Sequence, residues 1–142
     1  MSLLHKAAWC LTVPAVGALV SVGVGPAGAA PGDLYGAMAL SSSTGTVAYA
    51  VDYTDRIHAD AGANVKCGVY DCHVVLRFVN ACGAVAQGAD HRFGWASAPT
   101  KVEAERAAVE SLGLSAPPFP DLGSASPRAA EPVLSVCTAN AD

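Results

Sequence analysis

Apolar positions in this chain fall into short runs bounded by turn residues, and the pattern switches from strand-like to helix-like and back, twice. Tyr35 to Ser41 is a short apolar run interrupted only by Gly36, followed by the turn cluster Ser42-Ser43-Thr44-Gly45. Thr46 to Tyr53 alternates Val47, Tyr49 and Val51 with smaller or polar residues, as a strand does. Asp55 is placed to cap a helix running to about Cys67, with Gly62 weakening its interior and Gly68 positioned to end it. Cys72 to Val79, carrying Val74, Val75, Leu76, Phe78 and Val79, reads as a well-buried strand.

The second half follows the same order. Cys82 to Gln87 is a small apolar strand, Gly88-Ala89-Asp90 a turn, and Arg92 to Ala96 the partner strand. Thr100-Lys101-Val102-Glu103 is a capping box in which the Thr hydroxyl accepts from the Glu103 amide while the Glu side chain reaches back. Ala104, Ala108, Val109 and Leu112 carry the helix to Gly113, and Pro132 to Thr138 supplies a last strand. Each half is therefore strand-strand-helix-strand, and Ala59-Asp60 matches Ala104-Glu105, Ala63 matches Ala108, and Tyr49 matches Trp95. The fold class is α+β: two pseudo-repeated units sharing one sheet, or forming two facing sheets, with both helices covering one side. Ser115 to Glu131 breaks the symmetry as a Pro/Ala/Ser-rich loop, read as disorder, in which Phe119 is the residue with most to offer a partner.

Before these elements, residues 1–29 have the character of a secretion signal. Lys6 precedes an apolar stretch from Ala7 to Val24, Pro26 breaks it, and Ala27-Gly28-Ala29 provides small residues for cleavage. An uncleaved anchor is the competing reading, but Pro14, Gly17, Gly23 and Gly25 dilute the stretch. A lipoprotein fits less well, because Cys10 lies before most of the apolar run. Cleavage leaves residues 30–142, about 113 residues, enough for a single secreted domain. The formal charge of the full chain is −4, and losing Lys6 makes the mature product more acidic still. With no Lys/Arg cluster, nucleic acid and anionic lipid are poor partners, and no stable membrane insertion is expected once the signal is gone.

Cleavage also removes Cys10 and leaves Cys67, Cys72, Cys82 and Cys137, an even set in a chain bound for an oxidising compartment. Three pairings are open. A Cys67–Cys72 bridge would pin a helix-to-strand turn and leave Cys82 to Cys137, closing a long loop. Cys67, Cys72, His73 and Cys82 also hold the atoms for a zinc site, although thiols oxidise in an exported protein and the spacing fits no familiar finger. The same oxidation argues against a nucleophilic cysteine.

No nucleophile elbow, metal-binding helix motif or phosphate loop is present, and no cofactor is expected. The polar candidates are His58, His73, His91, Asp71, Asp90 and the Asp52/Asp55 pair. Asp71, His73 and His91 with a serine near Ser42 would make a hydrolase-like set, though no spacing requires it. Asp71, Asp90 and His91 also read as turn residues, and His58 as a solvated helix residue. Tyr49 and Trp95, in corresponding strands, are candidate binding residues if exposed, able to stack on a sugar ring or receive a peptide. The favoured reading has both in the core, filling space that Ala and Gly cannot.

Gly45-Thr46-Val47-Ala48-Tyr49-Ala50, Cys67-Gly68, Asp71-Cys72-His73-Val74-Val75, Asn80-Ala81-Cys82-Gly83-Ala84, Phe93-Gly94-Trp95-Ala96 and Val136-Cys137-Thr138 together resemble the bacterial secreted family called domain of unknown function 4189. The resemblance runs from about Tyr35 to Thr138 and implies no established activity, so no catalytic residue comes with it. Family members typically carry a second helix-end cysteine and a matching one before the last strand. Here Leu112 stands at the first place, and the Ser115 to Glu131 insert replaces the second. By analogy between the halves, the joint loss supports Cys67 with Cys72 and Cys82 with Cys137.

These readings lead to a secreted, disulfide-stabilised binding or interaction module at or outside the bacterial envelope, without enzymatic activity. Its partner would be an envelope or extracellular protein or glycan. The alternatives are a secreted hydrolase using His73 and His91, and an inhibitor of an exported enzyme that uses the Pro-rich insert.

Overall fold

Tyr35–Leu40 (β1) forms the centre of a three-stranded antiparallel sheet, flanked by Val47–Tyr53 (β2) and His73–Val79 (β3). The structure is a computed structural model and describes residues 32–118 and 126–141. Between β2 and β3 runs the helix Arg56–Cys67 (α1). A second three-stranded antiparallel sheet has Cys82–Gln87 (β4) at its centre, Phe93–Ala98 (β5) on one side and Glu131–Cys137 (β8) on the other. The helix Lys101–Leu112 (α2) follows β5. The strand orders β2-β1-β3 and β5-β4-β8 place the first strand of each half in the middle of its sheet. The fold is α+β with two disulfides. The proposed signal segment lies outside the described residues.

Three buried clusters stack through the molecule, and strand alternation explains them. One face of β1 offers Ala37 and Ala39, which join Ala48 and Ala50 of β2 beneath Ala59, Ala63 and Cys67 of α1. The other face offers Met38, which meets Phe78 and Val85 between the two sheets, with Val51, Leu76, Phe93, Leu134 and Val136 around them. Ala84 and Ala86 of β4 face away from that centre and pack under Ala104 and Ala108 of α2. The layers therefore run α1, first sheet, second sheet, α2. This corrects the expectation that both helices cover one side. The helix-facing clusters are mostly alanine, with Cys67 in one and Cys82 in the other, while the larger Met38, Phe78 and Val85 lie between the sheets.

Local chemistry explains the helix ends. The Asp55 carboxylate accepts from the His58 amide at 2.9 Å, and Gly68 adopts a left-handed conformation with φ 69° to close α1. Gly62 has a positive packing reason: a Cβ there would lie 2.9 Å from the Tyr53 hydroxyl and 3.1 Å from the Ala50 Cβ. Thr100 Oγ1 accepts from the Glu103 amide at 3.4 Å, and the Glu103 carboxylate reaches back to accept from the Thr100 hydroxyl at 2.9 Å.

Two further expectations change. β3 lies at a sheet edge, so only Phe78 is fully enclosed and Val79 is 42% exposed. Pro132 lies in β8, also at an edge and beside a register shift, where a missing amide donor is tolerated. The Pro/Ala/Ser-rich loop is ordered at its base, where Leu114–Ser115 (β6) pairs antiparallel with Arg128–Ala129 (β7). Phe119 lies outside the described residues.

Candidate functional site

The two sheets face each other with β3 against β5 and β2 against β8. Val85 on β4 is the register partner of Trp95 on β5, so the Trp95 side chain issues from the inter-sheet face, at the open edge. There a groove of about 320 Å³ is lined by Trp95 and Phe93 of β5, His91 and Arg92 of the preceding turn, His73 of β3, and Leu40 and Ser42. A smaller depression of about 270 Å³ on the α2 side is lined by Arg92, Phe93 and Trp95 again, with Gly94, Ser111 and Leu112. Arg92, Phe93 and Trp95 thus border both.

Trp95 is 41% exposed and Tyr49 37%, which corrects the reading of both as core fillers. They do not form one surface. Tyr49 lies on β2 at the opposite edge of the sandwich, and the Lys66 ammonium stands 5.2 Å from the centre of its ring.

The turn geometry delivers the polar lining. Gly88 donates its amide to the Arg92 carbonyl at 2.8 Å, the His91 amide donates to the Gly88 carbonyl at 3.0 Å, and His91 adopts φ 62°. Asp90 Oδ1 accepts from the Arg92 amide at 3.2 Å, the turn role expected of it, and Asp90 Oδ2 lies 3.8 Å from Arg92 Nη1. His73 Nδ1 is 3.3 Å from the carbonyl oxygen of Asp71.

The hydrolase-like set converges only in part. Ser42, His73 and His91 line the same groove. The Asp71 carboxylate is engaged elsewhere: Oδ1 accepts from the buried Ser41 hydroxyl at 2.6 Å, and Oδ2 accepts from the Ser43 amide at 3.0 Å. These bonds, the Ser41 hydroxyl first, hold the Asp71 pKa below its ordinary value. Among the described residues no hydrogen bond joins a histidine ring to a hydroxyl or thiol. Asp52 Oδ1 accepts from the Ala139 amide at 2.7 Å, and Asp55 is the cap of α1, paired also with the exposed His58 ring. The Asp52/Asp55 pair and His58 therefore have structural partners away from the groove.

Cys67, Cys72, Cys82 and Cys137 are all in disulfides. Cys67 pairs with Cys72 (Cα–Cα 6.2 Å) and Cys82 with Cys137 (Cα–Cα 3.9 Å), so the zinc and thiol-nucleophile readings fall. Among the described residues no helix is long and apolar enough to cross a membrane.

Arg92, Phe93 and Leu40 were not singled out from the sequence as site residues. A signal for the first two was present but unread: the run His91-Arg92-Phe93-Gly94-Trp95 concentrates basic and aromatic side chains in five consecutive positions.

The model of the family described as Domain of unknown function (DUF4189) matches residues 35–116. Protein Rv1269c of Mycobacterium tuberculosis (strain H37Rv) and Protein Mb1300c of Mycobacterium bovis are each 40% identical to this chain over 81 residues, which is 57% of this chain and 63% of theirs. The chain thus spans less than two thirds of the length of these curated relatives. No solved structure matches it. The chain belongs to the DUF4189 family.

Proposed function

We propose that this member of a family without an assigned activity is a secreted binding module, acting at or outside the bacterial envelope through the Trp95 groove. The observation that carries the reading is a half-exposed tryptophan at a groove of about 320 Å³ whose lining also presents Arg92, His73 and His91. Small-molecule sites combine an apolar wall with a few convergent polar groups, and the volume lies at the small end of their range. A flat indole face suits a sugar ring or an extended peptide. Two disulfides, together with the leader-like residues 1–29, support export to an oxidising compartment. The shared strand order of the two sheets supports an origin by duplication of a strand-strand-helix-strand unit.

The test is retention of the oxidised protein on immobilised bacterial cell-wall glycan, with Trp95→Ala beside the wild type. Retention that depends on Trp95 supports the reading, and equal behaviour of the two proteins overturns it. A hydrolase is the second reading, because Ser42, His73 and His91 share the groove. Turnover of a model ester, peptide or glycan that is lost in His73→Gln or His91→Asn would establish that reading and displace the first. Asn is chosen at position 91 because it tolerates the left-handed backbone found there.

A further inference from the structure

We propose that the Trp95 groove selects acidic saccharides, with a sugar ring stacked on the indole and its carboxylate held by Arg92. This deepens the binding reading above and rests on it. The chain is acidic overall, with formal charge −4, yet among the described residues no Asp or Glu lines this groove, while Arg92, His73 and His91 do. By contrast, the cavity of about 230 Å³ beside the β6–β7 hairpin, which His91 also borders, mixes Arg128 with Glu131 and has no Trp, Tyr or Phe among its described lining residues.

His73 Nδ1 is taken up by the Asp71 carbonyl, but the Arg92 and His91 side chains keep donors for a ligand. The Arg92 side chain is 74% exposed, and its guanidinium makes no hydrogen bond among the described residues. Its ion pair with Asp90 is 3.8 Å long and leaves the planar fork open. The His91 ring makes no hydrogen bond among the described residues either; only its backbone is engaged, by the turn. A guanidinium with free donors beside an exposed indole matches a ligand with an apolar ring face and an anionic edge. A neutral sugar would use the indole and leave the cation idle. A free anion would use the cation and leave the indole bare.

The experiment follows the Trp95 indole N–H resonance of the oxidised protein during titration with tri-galacturonate, with maltotriose as a neutral trisaccharide, and with inorganic phosphate alone. Tri-galacturonate is expected to shift the resonance, to bind about tenfold more tightly than maltotriose, and to lose about that factor in Arg92→Gln. Added salt should weaken it further. Arg92→Gln alters an exposed side chain, and its unchanged spectrum elsewhere certifies the fold. Equal binding of the two trisaccharides, with no effect of Arg92→Gln, overturns the acidic preference but leaves the groove as a sugar site. The same response to phosphate as to tri-galacturonate overturns the saccharide part. An indole resonance unmoved by every probe overturns this proposal together with the saccharide form of the binding reading, while retention on cell wall that depends on Trp95 would still stand for another ligand.

Discussion

The Phe78 ring occupies the space where Gly83 would carry a side chain: a Cβ on Gly83 would lie 2.5 Å from Phe78 Cε1. Gly36 stands at the other edge of the same ring, its missing Cβ 2.3 Å from Cε2. A bare position on the central strand of each sheet thus lets one phenyl ring from β3 bridge the interior. Alanine at either glycine has to push a buried ring aside in a packed core, so Gly36→Ala and Gly83→Ala should each destabilise the fold by about 1–3 kcal/mol in urea denaturation. Phe78→Ala should cost about 3–5 kcal/mol. The smaller Phe78→Leu should relieve the clash, so that Gly83→Ala costs less in that background than alone. Simple additivity in that cycle would mean the ring and the glycine are not coupled.

The two disulfides should differ in weight. Cys67 and Cys72 are five positions apart, whereas Cys82 and Cys137 are 55 apart and are register partners across β4 and β8. In the chain-entropy model the short loop contributes about 2 kcal/mol and the long one about 4 kcal/mol. The double variant Cys82→Ala/Cys137→Ala should therefore lose roughly twice the stability of Cys67→Ala/Cys72→Ala. Equal losses would show that the short bridge does more than constrain the unfolded chain. Intact mass with and without reductant counts the bridges directly.

Much of the fold was legible because its signals are local. Asp55, Gly68, Thr100 and Gly113 mark helix ends through their own side chains or lack of them, and every helix and principal strand lies within two residues of where the pattern places it at either end. The side of each sheet taken by its helix was not legible. β1 and β4 are apolar on both faces, so alternation cannot say which face meets a helix and which meets the other sheet. The decision lies in size, since Ala37, Ala39, Ala84 and Ala86 admit a helix, while Met38 and Val85 fill the space between sheets. The groove was half legible. Trp95, His73 and His91 were candidates by residue type, but their meeting depends on β3 packing against β5, a contact between sheets that no local pattern encodes.

The Thr100 cap offers a test of a local interaction. Its hydroxyl accepts from the Glu103 amide and donates to the Glu103 carboxylate, so one side chain fixes both ends of the first turn of α2. Thr100→Ala should cost about 1 kcal/mol in chemical denaturation, and Thr100→Ser should recover most of it. Because α2 contributes Ala104 and Ala108 to the outer cluster, loss of the cap should also speed amide exchange in that first turn. Matching losses in the Ala and Ser variants would assign the effect to packing of the Thr methyl and not to the cap.

Asp71 should make the protein sensitive to acid. Its carboxylate ties the loop between β1 and β2 to the turn closed by the Cys67–Cys72 bridge, accepting from the Ser41 hydroxyl and the Ser43 amide. Ser41 is fully enclosed, and its oxygen also receives the Thr44 hydroxyl at 2.9 Å, so the carboxylate anchors a small polar network. These bonds favour the charged form and lower the folded-state pKa below the ordinary value of 3.8. Near that value the unfolded chain binds more protons than the folded one. The stabilisation is therefore present above the unfolded value and is lost as pH falls through the lower folded value. Asp71→Asn should reduce stability at neutral pH, and its deficit relative to wild type should shrink in acid. Asp55, lowered by the His58 amide first, adds a slope of the same sign that survives in the Asp71→Asn protein. Following the Asp71 carboxyl carbon by NMR should place its midpoint below that of a free aspartate, and Ser41→Ala should move it upward because the largest contribution is then gone. A midpoint at the free value in the wild type, or an unshifted one in Ser41→Ala, would show that the Ser41–Asp71 bond does not hold the carboxylate in its charged form.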